Sequence, residues 1–143
     1  MTTKLEKPCR PCRRNRRGAA VVEFAVVAPV FFLLVFGMIE FGRMVMVQQL
    51  LTNAAREGAR VGVLDSSTST EVSNAVKSYL TAAKINNPTI TCTPTNPSSA
   101  TYGQPVTVTV SIPFNQVSWL PSPMFLGGQS MTASSAMRRE TVQ

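Results

Sequence analysis

Ala19–Ile39 runs AAVVEFAVVAPVFFLLVFGMI, 21 residues that are apolar on every side of a helix but for one. Glu23 is its one charged residue, and from Phe24 to Ile39 no charge occurs at all. The run approaches the roughly 20 residues that an α-helix needs to cross a bilayer. It is too uniformly apolar for a helix with one face in water, so a membrane span is the natural reading. The competing reading is a buried core helix. Against it, the rest of a 143-residue chain is too short to wrap such a helix on all sides.

Upstream lies a basic leader. Residues 1–17 hold seven bases (Lys4, Lys7, Arg10, Arg13, Arg14, Arg16, Arg17) and one acid, Glu6, a net +6 out of the total +7. The remaining +1 is what the rest of the chain carries, so the basicity belongs to the leader and not to a folded surface. Lys and Arg beside a span are retained in the cytoplasm, which orients the N-terminus inside and the bulk of the chain outside. A cleaved secretory signal also starts basic, but its apolar region is about 7 to 15 residues and ends at a small-x-small site. Here the run is longer and leaves through Gly37, Met38, Ile39, Glu40 and Phe41, a poor site of that kind.

The composition argues against chemistry. There is no histidine, the commonest general base and the commonest metal ligand. Cys9 and Cys12 form one CxxC, without the second pair that a four-ligand zinc site requires, and are read as thiols of the leader with metal or redox work as the alternative. Cys92 is expected to be a small buried hydrophobe, or else an intermolecular disulfide site. No catalytic constellation, cofactor or metal site is expected. Nor is a nucleic-acid partner: the leader lacks interleaved aromatics, and a net +1 attracts phosphate weakly.

Beyond the span the helical pattern continues. Val47, Leu50, Leu51, Ala54, Ala55, Gly58, Ala59 and Gly62 fall largely on one stripe, and Gln48, Gln49, Asn53, Arg56, Glu57 and Arg60 lie elsewhere. The stripe is built of small residues, which let a neighbouring helix approach closely, so Ala54, Ala55, Gly58, Ala59 and Gly62 are candidate packing positions. A helix continuous from Ala19 to about Leu64 spans roughly 70 Å at about 1.5 Å per residue, and is expected to protrude from the membrane as a rod. Pro29 lacks a backbone donor, and with Gly37 and Gly42 it marks a candidate bend or meltable segment.

Asp65–Thr70, DSSTST, ends that helix. Thr68 followed by Glu71 fits a capping box, and Val72, Ala75, Val76, Tyr79, Leu80 and Ala83 recur at helical spacing, predicting a second helix from about Ser69 to Lys84. Asn86, Asn87 and Pro88 break it. The period then becomes two: Ile90 and Cys92 share a strand face, and Val106, Val108, Val110 and Ile112 alternate with Thr107, Thr109 and Ser111. A last strand is expected near Ser130–Met137. The class is therefore α+β: a long N-terminal transmembrane helix leading into a small domain of one helix and a small antiparallel sheet. Phe114–Gly128 is apolar for a loop and carries Trp119, the only tryptophan. We read it as a plug at the edge of the core, with a surface for a partner or the membrane interface as the alternative. The expected divisions are a cytoplasmic leader 1–18, a span 19–42, a helical continuation 43–64 and an outer domain 65–143.

A basic leader, Gly18, four small or aliphatic residues Ala19–Val22, then Glu23, Phe24, a long apolar helix and a small α+β domain: this order resembles type IV prepilins and pseudopilins. Within them it is most similar to the TadE-like proteins of the Tad, or Flp, pilus system. The similarity is greatest from Arg16 to about Gly62, where AAREGARVG (Ala54–Gly62) is also characteristic, and weaker across VTVTVSIPF and SSAMRRE. The resemblance implies a pilin-like fold and a cut by prepilin peptidase between Gly18 and Ala19, with Glu23 and Phe24 as recognition and pairing residues. Major Flp pilins usually have tyrosine after the glutamate. Phe24 here, with a C-terminal domain much larger than theirs, points to a minor subunit.

Those implications have a physical counterpart. An unpaired carboxylate at mid-membrane costs about 3 kcal/mol on insertion scales, so Glu23 favours a cation or a position at the head groups. Cleavage after Gly18 frees the α-amino group of Ala19, with a pKa near 8, as a cation for Glu23 of a neighbouring subunit. Expected partners are prepilin peptidase, other pilin or TadE-like subunits, the inner-membrane assembly platform and lipid. The expected location is the inner membrane, single-pass, with incorporation into an extracellular pilus as an extension. The alternative is an uncleaved, membrane-anchored binding protein working through the Trp119 loop.

Overall fold

A computed structural model of the chain describes residues 16–119 and 127–139. Residues 1–15 of the basic leader, with Cys9 and Cys12, and residues 120–126 of the Phe114–Gly128 segment lie outside the described residues, while Arg16 and Arg17 already belong to the first helix. Two compact units divide at Val35 and Phe36, inside the stretch expected to span the membrane. The class is α+β, as the sequence pattern implies.

The first unit consists, among its described residues, of the N-terminal part of helix α1, which extends over Arg16–Gly62. Its large side chains lie on the outside on every face: Val21, Val22, Phe24, Val26, Val27 and Val30 are all exposed, as are Phe31 to Leu34. Pro29 lies within α1, and the helix continues on both sides of it. A proline nitrogen leaves one carbonyl of the preceding turn without its helical donor, a cost that apolar neighbours do not remedy.

The second unit begins in the same helix at Phe36. From there α1 buries Glu40, Arg43, Val47, Leu51, Ala54, Ala55, Gly58, Ala59 and Gly62. Steps of three and four residues place all of them on one stripe. Helix α2, Ser69–Ala82, starts at Thr68, whose hydroxyl accepts from the Glu71 N–H while the Glu71 carboxylate accepts from the Thr68 N–H. It buries Val72, Val76 and Leu80, one residue per turn. The helix stops two residues short of Lys84, which adopts a positive φ, so the chain has already turned there.

Three strands follow: β1 (Thr89–Thr93), β2 (Pro105–Pro113) and β3 (Ser130–Arg138). They form one antiparallel sheet in the order β1-β2-β3, with Ile90 opposite Val110, Cys92 opposite Val108, Val110 opposite Ala133, and Ile112 opposite Met131. The central strand follows its sequence period: Val106, Val108, Val110 and Ile112 are fully buried, while Thr107, Thr109 and Ser111 turn to the other face. On that face hydroxyls link the strands, with Thr109 donating to Ser134 and Thr132 to Ser111. Gly103, at φ +78°, supports the turn into β2. The core lies between the helices and the apolar face of the sheet.

Cys92 is half-buried against this core, not fully enclosed as the sequence pattern implied, because β1 is a short edge strand. Burial pushes its thiol pKa up.

Candidate assembly surface

Gly18 and Ala19 occupy the exposed start of α1, and a side chain built at Gly18 would meet nothing within 4 Å. Glu23 and Phe24 follow a turn later, Phe24 at 71% exposure, and no described residue forms an ion pair with Glu23. This surface is exposed among the described residues. Among the described residues one helix, within Gly18–Gly62, is long and apolar enough to cross a membrane, and none of its most apolar window is buried. Ala19–Ile39 gives about 32 Å at 1.5 Å per residue, close to the roughly 30 Å of a bilayer hydrocarbon core. This fits a single-pass membrane anchor.

The small-residue stripe has a different environment. A Cβ at Gly58 would lie 2.5 Å from Cγ2 of Val76 and 3.2 Å from Cγ1 of Val108; at Gly62 it would lie 3.0 Å from Cγ1 of Val106. Ala54, Ala55 and Ala59 are fully buried. The close neighbours of this stripe include α2 and β2 of the same chain. The sequence showed a surface requiring close approach but had no means of naming what approaches.

At the apolar end of the second unit, Arg43 is the organising side chain. Its Nε donates to the carbonyl of Val117 at 2.8 Å, 74 residues away, and its guanidinium lies 4.9 Å from the ring centre of Trp119. Arg43 is 9% exposed and Glu40, one turn earlier, 1%. Among the described residues no buried side-chain nitrogen or oxygen lacks a hydrogen-bond partner. The core-plug reading of Phe114–Gly128 needs correction for its largest residue: Phe114 and Val117 are buried, but Trp119 is 67% exposed. The short helical turn Phe114–Gln116 directs Phe114 inward, and Arg43 holds the following chain at the rim.

A second arginine was also missed in the sequence. Arg139 is buried, and its Nη1 donates to the carbonyls of Pro97, Ser98 and Ala100, while Nη2 reaches Asp65 at 3.2 Å. It ties the end of β3 to the loop before β2 and to the turn after α1. For Glu40 and Arg43 a signal existed, because both extend the spacing of Val47 and Leu51 toward the membrane side. For Arg139 there was none. Among the described residues, no group of three or more His, Cys, Asp or Glu is arranged to hold a metal ion.

Residues 18–60 match the model of the family described as TadE-like protein, the family that the N-terminal motif resembles. No curated protein and no solved structure matches the chain.

Proposed function

We propose, from the match of residues 18–60 to the TadE-like family model, that the chain is a minor pilin or pseudopilin of the Tad pilus that serves assembly as a structural subunit. Prepilin peptidase cuts it after Gly18, and the mature chain begins at Ala19. The N-terminus faces the cytoplasm and the α+β domain the outside of the inner membrane. The observation that carries this reading is that the family match begins at Gly18, immediately before the apolar helical surface that is exposed among the described residues.

The chemistry is recognition and packing. While in the bilayer, the exposed valines and phenylalanines of α1 face lipid. In an assembly they face the helices of other pilin or TadE-like subunits, delivered through the inner-membrane platform. Packing of small and aliphatic side chains favours that exchange, since lipid tails are as apolar as the helix and provide no hydrophobic drive of their own. Glu23 then selects the register, because a buried carboxylate is tolerated where the freed α-amino group of Ala19 on a neighbour reaches it. No enzymatic role enters.

N-terminal sequencing of the protein purified from membranes tests this. With active peptidase the first residue is Ala19, and without it the leader persists; an intact leader in the presence of active peptidase refutes processing. A second reading, an uncleaved anchored binder, draws on the exposure of Trp119. Gly18→Leu separates the two, since a pilin accumulates unprocessed whereas an anchored binder is unaffected.

A further inference from the structure

We infer that Trp119 is an interfacial anchor, held by Arg43 at the lipid head-group layer, which seats the α+β domain on the membrane surface from which α1 emerges. The inference rests on the reading of α1 as a membrane span and adds a second contact with the same membrane.

Position along the helix comes first. If Ala19–Ile39 fills the hydrocarbon core, Arg43 lies four residues, or about 6 Å, beyond its edge. The head-group layer on each side is of that thickness, about 5 to 8 Å. The Arg43–Trp119 contact of 4.9 Å carries the indole to the same level, although Trp119 is 76 positions further along the chain. Trp119 and the last apolar stretch of α1 belong to one compact unit.

The exposed surroundings agree with that level. Met38, Ile39 and Phe41 precede Arg43 on α1, and Val45 and Met46 follow it; all are 40% exposed or more. Such residues in water would leave an apolar strip along the exposed side of α1. In a head-group layer the same strip continues the surface of the span. An indole suits this layer because its ring is apolar while its N–H requires a polar partner. The Arg43 guanidinium lies over the ring and donates to Val117, so it positions an indole that is 67% exposed.

Trp119 is the only tryptophan, so its fluorescence reports this site alone. The full chain is reconstituted into phosphatidylcholine–phosphatidylglycerol vesicles, and insertion of α1 is checked by resistance to alkaline extraction. The expected result is an emission maximum shifted to the blue of that in denaturant, protection from acrylamide, and loss of emission when the acyl chains carry bromine close to the head groups. Bromine near the bilayer centre is expected to quench less. All of this is expected to be independent of the protein-to-lipid ratio. In Arg43→Gln, provided calorimetry shows that the domain still unfolds cooperatively, lipid quenching is expected to fall and acrylamide quenching to rise. A chain that resists extraction while Trp119 stays open to acrylamide and insensitive to lipid bromine overturns the inference and leaves the anchor standing. Protection that grows with protein density at fixed lipid assigns the indole to a second copy and also overturns it. A chain that alkali extracts refutes the anchor reading itself.

Discussion

Gly58→Ala is a substitution whose sign depends on a single neighbour. Taken alone in a helix, alanine is favoured over glycine by about 1 kcal/mol. Here the new Cβ would lie 2.5 Å from Cγ2 of Val76, closer than nonbonded carbons approach, and 3.2 Å from Cγ1 of Val108. Both obstacles are β-branched side chains in a fully buried core, with little rotamer freedom to yield. Overpacking of this kind costs about 1–3 kcal/mol, so Gly58→Ala is expected to destabilise the domain by about 1 kcal/mol net. Val76→Ala removes two methyl groups at about 0.8 kcal/mol each and leaves a cavity, for a loss of about 2 kcal/mol. In that background the Gly58 methyl enters the vacated space. Gly58→Ala should then stabilise by up to about 1 kcal/mol, a coupling of about 2 kcal/mol. Calorimetric unfolding in detergent micelles reads each step as a shift of about 4–8 °C per kcal/mol for a domain of this size. If Gly58→Ala has the same effect in both backgrounds, Val76 is not what demands glycine at this position, and the reasoning is refuted.

Arg139→Met leaves the carbonyls of Pro97, Ser98 and Ala100 without their shared donor and is expected to cost about 2–4 kcal/mol in the same calorimetric measurement. Asp65→Asn, at the 68%-exposed end of the ion pair, should cost less than about 1 kcal/mol. Thr68→Ala removes the hydroxyl that accepts from the Glu71 N–H, leaving only the backbone half of the capping box, and is expected to lower stability by about 1 kcal/mol, with amide exchange accelerating first at Glu71 and Val72. The burial that raises the Cys92 pKa favours the neutral thiol, so in Cys9→Ser/Cys12→Ser protein its alkylation should be slow at neutral pH. That rate should rise with pH through a midpoint above that of an unfolded cysteine; a midpoint at the unfolded value refutes the burial argument.

Much of the architecture was legible because it is local. The apolar run, the three-and-four spacing from Val47 to Gly62, the Thr68–Glu71 pair and the alternation of Val106 to Ile112 each occupy a short window and obey a single period. Hydropathy and backbone geometry act on such windows directly, so helix, cap and central strand follow from the residues in order. The resemblance of Gly18–Phe24 to a pilin start was legible for the same reason.

What the one-dimensional pattern left open are the meetings of distant residues. Ala54, Gly58 and Gly62 announce a close approach, but only the tertiary structure shows α2 and β2 making it. Trp119, apolar by composition, stays at the surface because Phe114 and Val117 fill the core edge and Arg43 stacks on the ring from a helix 76 residues earlier. Arg139 is buried because three loop carbonyls converge on it, and no neighbour in sequence signals that. Helices, cap and strands follow from residue order, since propensity and periodicity are properties of neighbours along the chain. Which charges are enclosed and which aromatic is displayed follows from packing, since desolvation and hydrogen bonding depend on neighbours in space.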